Sequence, residues 1–127
     1  MNTHAAADSS TALALERTRL AHERTLMAWV RTATSLISFG FTIYKAFEYL
    51  RERQPAVAQG ILDPRNFALV LIGLGIGALS LATVQHRHDL RRLEAQYGPL
   101  PRSTAAIVAT IVSLLGIVAL ILVFLRQ

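Results

Sequence analysis

Cysteine is absent from the 127 residues. That excludes disulfides, zinc–thiolate centres and thiol catalysis, and leaves the redox compartment open. Charge is sparse: 17% of residues are Asp, Glu, Lys or Arg against 53% hydrophobic, and mean hydropathy is +0.41. A chain this short and apolar cannot clothe an ordinary soluble domain, so several membrane spans are expected. Helix breakers are missing from Leu13 to Tyr49, a stretch with no proline and only Gly40. Eight carboxylates are present and none falls within an apolar run. No glycine-rich phosphate loop, Ser-His-Asp set or metal-ligand motif occurs. His4, His22, His86 and His88 are read as scattered or exposed, and in His86-Arg87-His88 the central cation opposes a metal. The chain reads as non-catalytic, with no cofactor and no metal. Met1–Ser10 lacks the basic segment of a cleavable signal peptide, so the first span is expected to serve as its own targeting signal.

What is present is an all-α pattern of three transmembrane helices, the first extended into the cytosol as an amphipathic basic helix. Residues 1–12 are expected to be a disordered tail, and 13–127 a single domain with spans at about 26–46, 66–84 and 105–125. Some 20 residues at 1.5 Å each cross a hydrocarbon core of roughly 30 Å. Trp29 marks one interface of the first span, and Tyr44, Phe47 and Tyr49 the other. Arg51–Arg65, with Pro55, Gly60 and Pro64, is a polar connection, and Asp63-Pro64 reads as an N-cap with proline at the first helical position. Gly73, Gly77 and Ser80 form a small-residue face suited to close helix packing. The second helix is expected to continue through the charged stretch 85–97 until Gly98-Pro99-Leu100-Pro101 stops it. Ser103 or Thr104 then caps the third.

Net charge is +5. The basic residues flank apolar runs, which favours anionic headgroups or a polyanion over nucleic acid. Arg17, Arg19, Arg24, Arg87, Arg91, Arg92 and Arg102 fall on one side; Lys45, Arg51, Arg53, Arg65 and Arg126 fall on the other. That bias places the N-terminus in the cytoplasm and the C-terminus outside.

The strongest pattern runs from Glu16 to Leu36. Read in sevens, Arg17-Thr18, Arg24-Thr25 and Arg31-Thr32 share one register, which sets the arginines on one slowly drifting helix stripe continued by Ser38 and Lys45. Arg19 has Glu16 and Glu23 at helical spacing; Arg17, Arg24 and Arg31 have no acid on their own helix. An arginine at the centre of a membrane helix costs about 2.5–3.5 kcal/mol, so it normally faces protein, water or an anion. Arg31 could instead snorkel to the interface, Arg17 and Arg24 could bind headgroups, and Lys45 could pair with Glu48. The shared register favours first helices gathered around an axis. Their partners would be Glu16 or Glu23 of a neighbouring chain, or a bound polyanion, whose phosphates guanidinium groups recognise through paired hydrogen bonds.

Glu23-Arg24-Thr25-Leu26-Met27-Ala28-Trp29-Val30-Arg31-Thr32, followed by Ser38-Phe39-Gly40-Phe41, resembles the signature of the domain of unknown function 202 family. That family includes YidH-like bacterial inner-membrane proteins and the membrane module of the eukaryotic vacuolar transporter chaperone complex, which makes and translocates polyphosphate. The resemblance implies that Arg17, Arg24 and, by a looser match, Arg87 contact an anionic polymer, while Arg31 belongs to the bacterial pattern. It covers the three-span unit, and no polymerase domain is included.

Together these readings lead to a small inner (plasma) membrane protein. It would form a homo-oligomeric pore or binding site for phosphate-rich anions, lined by Arg17, Arg24, Arg31, Lys45 and Arg87. The alternative is a non-conducting accessory or scaffold subunit that binds a partner protein or anionic lipid. Expected partners are membrane lipids and other copies of the chain, with no nucleic acid.

Overall fold

A computed structural model describes residues 2–53 and 63–125, with side chains from Ala6 onward; the connection carrying Pro55 and Gly60, and Arg126, lie outside the described residues. The described residues form three helices: α1 (Asn2–Arg53), α2 (Pro64–Tyr97) and α3 (Thr104–Leu125). All three are long and apolar enough to cross a membrane. The chain is an all-α, multi-pass membrane protein.

The 52 residues of α1 make a rod of about 78 Å, more than twice the hydrocarbon thickness, so α1 continues well beyond one face of the bundle. It starts at Asn2, ahead of the expected Leu13, and so takes in the segment read as a disordered tail. The alanines before Asp8 favour helix, and the hydroxyl side chains that follow do not cap one. Ser9 and Ser10 bond back to the Ala6 and Ala7 carbonyls, and Thr11 also bonds back to Ala7.

The other ends follow the turn chemistry. Asp63 accepts the Arg65 backbone N–H at 3.3 Å, with Pro64 opening α2. Gly98, at φ 92°, closes α2 by donating its N–H to the Glu94 carbonyl. A positive φ costs glycine nothing, and Pro99 and Pro101 prevent continuation. Ser103 Oγ accepts the Ala106 N–H at 3.3 Å and caps α3.

α1 and α2 run antiparallel, with Gly40 against Ala68 and Gly75 against Ala33. α3 is antiparallel to α2, since Gly116 meets Ile76 and the Arg65 guanidinium donates to the Phe124 carbonyl at 3.2 Å. One core cluster joins Leu26, Val30 and Ala33 to Leu79, Ala82, Ala105 and Ala109; a second joins Ile37, Ile72 and Val123. Lipid offers apolar side chains no penalty, so what holds these helices together is close packing of small residues.

The glycines doing that packing are not the expected ones. Gly73 and Gly77 have no atom within 4 Å of a Cβ added there, and Ser80 is exposed with them. Gly75, two residues from each and therefore on the opposite side of the helix, lies against α1. A Cβ on Gly75 would meet the Ala33 carbonyl oxygen at 3.1 Å and Ile37 Cγ1 at 3.0 Å. Gly75→Leu should therefore destabilise the bundle by about 1–3 kcal/mol, whereas Gly77→Leu should leave the fold within about 0.5 kcal/mol of wild type. Equilibrium unfolding in mixed micelles measures both; equal losses would contradict the packing.

Candidate functional site

α1 carries two seams with the same heptad spacing. Leu26, Val30, Ala33, Ile37 and Gly40 are buried against the other two helices. At 100° per residue, Arg17, Arg24 and Arg31 lie roughly 140–180° around the helix from that seam, and all three are exposed. Between them come Ala21, Ala28, Ser35, Ser38 and Thr42, also exposed. The result is one strip, Arg17-Ala21-Arg24-Ala28-Arg31-Ser35-Ser38-Thr42, of cations, hydroxyls and small side chains. It runs along the face of α1 that the bundle leaves uncovered. Reading α1 only every seventh residue finds the cations and Ser38; alternating steps of three and four recover the small rungs between them.

At the Arg24–Arg31 level the strip opens into a shallow groove lined by Leu20, Glu23, Arg24, Met27, Ala28 and Arg31. Among the described residues, Arg17, Arg24 and Arg31 make no side-chain hydrogen bond or ion pair. Arg19 is satisfied, reaching Glu16 at 3.1 Å and Glu23 at 3.5 Å. The hydrogen bond from Arg19 holds the Glu16 carboxyl below its ordinary range. Both acids expected to reach a neighbouring chain are thus engaged on their own helix, Glu23 by the longer contact. Glu23 remains at the groove edge.

The other candidates are not brought onto the strip in the same way. The drift of the stripe turns Lys45 to a flank, where it bonds Glu48 at 2.7 Å and lies 5.8 Å from the Tyr44 ring centroid. Arg87 is exposed on α2 beyond its apolar segment and does not line the groove.

A polar junction lies where the three helices meet at the same end of the bundle. His86, read from sequence as exposed, is 4% exposed. Its Nε2 lies 3.3 Å from Ser103 Oγ, and its Nδ1 is buried without a partner. His22 on α1 faces Asp89 on α2 at 3.6 Å. Burial, and then the charge of His22, push His86 below the ordinary histidine value. No local spacing flags this junction, because its members come from different helices. Among the described residues no group of three or more acidic, histidine or cysteine side chains could hold a metal ion.

The family model described as Domain of unknown function (DUF202) matches residues 17–92, which contain the arginine strip and the apolar seam of α1, the α1–α2 packing and His86. Comparison with curated proteins and with solved structures gave no match. The chain belongs to the DUF202 family.

Proposed function

We propose that this member of the DUF202 family assembles with copies of itself through the exposed strip of α1, forming a pore or binding site for phosphate-rich anions. One observation carries the reading: the arginine strip faces away from α2 and α3, and among the described residues its guanidinium groups find no partner. Arg31 lies inside the apolar part of α1, where an unmet guanidinium is costly. The small rungs Ala28, Ser35 and Ser38 permit close approach of a second α1, and the period near 3.5 suits a left-handed supercoil. In such an assembly Arg17, Arg24 and Arg31 form successive cationic rings. A guanidinium binds phosphate oxygens through paired, charge-assisted hydrogen bonds, so an anion bridging the rings would relieve their mutual repulsion. Arg87 would add charge at the mouth. The charge bias favours a mouth on the cytoplasmic side of the inner (plasma) membrane.

Purified chain reconstituted in liposomes tests the reading. Entry of labelled polyphosphate, inorganic phosphate or chloride, lowered by Arg24→Ala, supports it. No flux and no binding of any of the three, at varied voltage and pH, contradicts it.

A second reading is favoured by the open Gly73-Gly77-Ser80 face of α2. That face would dock another membrane protein, making the chain a non-conducting accessory subunit. Loss of a co-purifying partner on Gly77→Leu, with flux absent throughout, would support this reading over the first.

A further inference from the structure

We propose that His86 is a pH-operated latch: neutral, it ties the start of α3 to the α1–α2 junction, and protonated, it releases that tie. The inference stands apart from whether the α1 strip binds an anion.

The geometry assigns the neutral state. Ser103 Oγ, as the cap of α3, accepts the Ala106 N–H and keeps a second lone pair and its own proton, so it pairs with His86 Nε2 at 3.3 Å in either neutral tautomer. Nδ1 is buried without a partner among the described residues, which favours the neutral tautomer with Nδ1 bare and Nε2–H donating to Ser103. A second proton would have to sit on Nδ1, where no acceptor lies among the described residues. It would also leave an imidazolium in an enclosed junction with Nδ1–H unpartnered.

The titratable groups facing His86 come from α1 and α2. α1 supplies His22, whose proton would repel that of His86, and Glu23, which would attract it but is already engaged by Arg19. α2 supplies Asp89, which faces His22 at 3.6 Å. From Thr104 to Leu125, α3 supplies no titratable side chain, and Arg102, Arg87 and His88 beside the junction are exposed. Burial outweighs the two acids, and the imidazole takes its proton less readily here than in water.

The sign follows. The released junction, with His86 in water, binds the proton more tightly than the packed one. The latch is therefore fully closed above the free-imidazole value of about 6.5 and weakens as pH falls below it. One proton limits the change to about tenfold per pH unit. Opening would free the start of α3 from the α1–α2 junction.

Hydrogen exchange of the full chain in lipid nanodiscs, corrected for intrinsic rates, tests the latch. Protection of amides 106–110 should fall between pH 6.5 and 5, by up to about tenfold per unit. It should stay flat in His86→Gln, which keeps a hydrogen-bonding group near Ser103 but cannot titrate, while His88→Gln keeps the wild-type step. Flat protection in wild type, or an unchanged step in His86→Gln, overturns the proposal. If His86→Gln does not fold, imidazole nitrogen resonances of the wild-type chain decide. Titration of His86 below about 6.5 is expected, and titration at or above that value overturns the latch.

Discussion

Arg31→Leu is expected to insert its span more readily and yet lose most of its affinity for anions. Removing a guanidinium from within the apolar part of α1 relieves at most about 2.5–3.5 kcal/mol, the insertion cost at a span's centre, so membrane insertion of the isolated span should improve. The same change removes a charge-assisted hydrogen bond worth about 1.5–3 kcal/mol, which is roughly 10- to 150-fold in polyphosphate or phosphate affinity. The two effects have opposite signs, and that separates the readings of this residue. If Arg31 only snorkels to headgroups, leucine improves insertion and leaves anion binding unchanged. Glycosylation mapping of insertion and calorimetry of phosphate binding measure the pair. Arg19→Leu is the control: its guanidinium is held by Glu16 and Glu23, and anion affinity should hardly move.

The second large effect concerns assembly. Ala28 and Ser35 flank Arg31 on the strip and are small where lipid-facing helix surface ordinarily carries bulk, as Leu74, Leu81 and Leu115 do here. If a neighbouring α1 packs on them, Ala28→Leu with Ser35→Leu overfills each helix contact at a cost of about 1–3 kcal/mol. That is roughly 5- to 150-fold in association per contact, repeated around the assembly. Mass photometry of the chain in native-like particles should show protomers in place of oligomers. Leu81→Ala and Leu115→Ala, away from the strip, should leave the distribution unchanged. The protomer itself should keep its stability, because neither Ala28 nor Ser35 is buried in the bundle.

Much of the fold was legible because its signals are local. Asp63-Pro64 and Gly98-Pro99 are bound to fixed turn chemistry, and Lys45–Glu48 and Arg19 with its two acids follow from helical spacing alone. The heptad of arginines was legible for the same reason, since every member sits on one helix. Gly73-Leu74-Gly75-Ile76-Gly77 shows where legibility ends. Its glycines occupy two opposite faces, both apolar, and which one meets α1 depends on α1. His86 and Ser103 are separated by a whole interhelical turn, and only the meeting of α2 with α3 turns an isolated histidine into a buried one. The start of α1 is not legible from sequence, because hydroxyl side chains that favour caps also bond back to carbonyls within a helix.

The absence of cysteine makes the decisive measurement clean. Single cysteines placed in turn at Ala28, Ser35 and Thr42, and at Leu74, Leu81 and Leu115, can be oxidised in native membranes and scored for disulfide-linked dimers. A disulfide needs Cα atoms within about 7 Å, so only positions that meet a second copy will link. First helices gathered around an axis should link at Ala28, Ser35 and Thr42 and not at the three leucine positions. Linking at the leucines, or none along α1 at any expression level, would contradict an assembly built on the arginine strip.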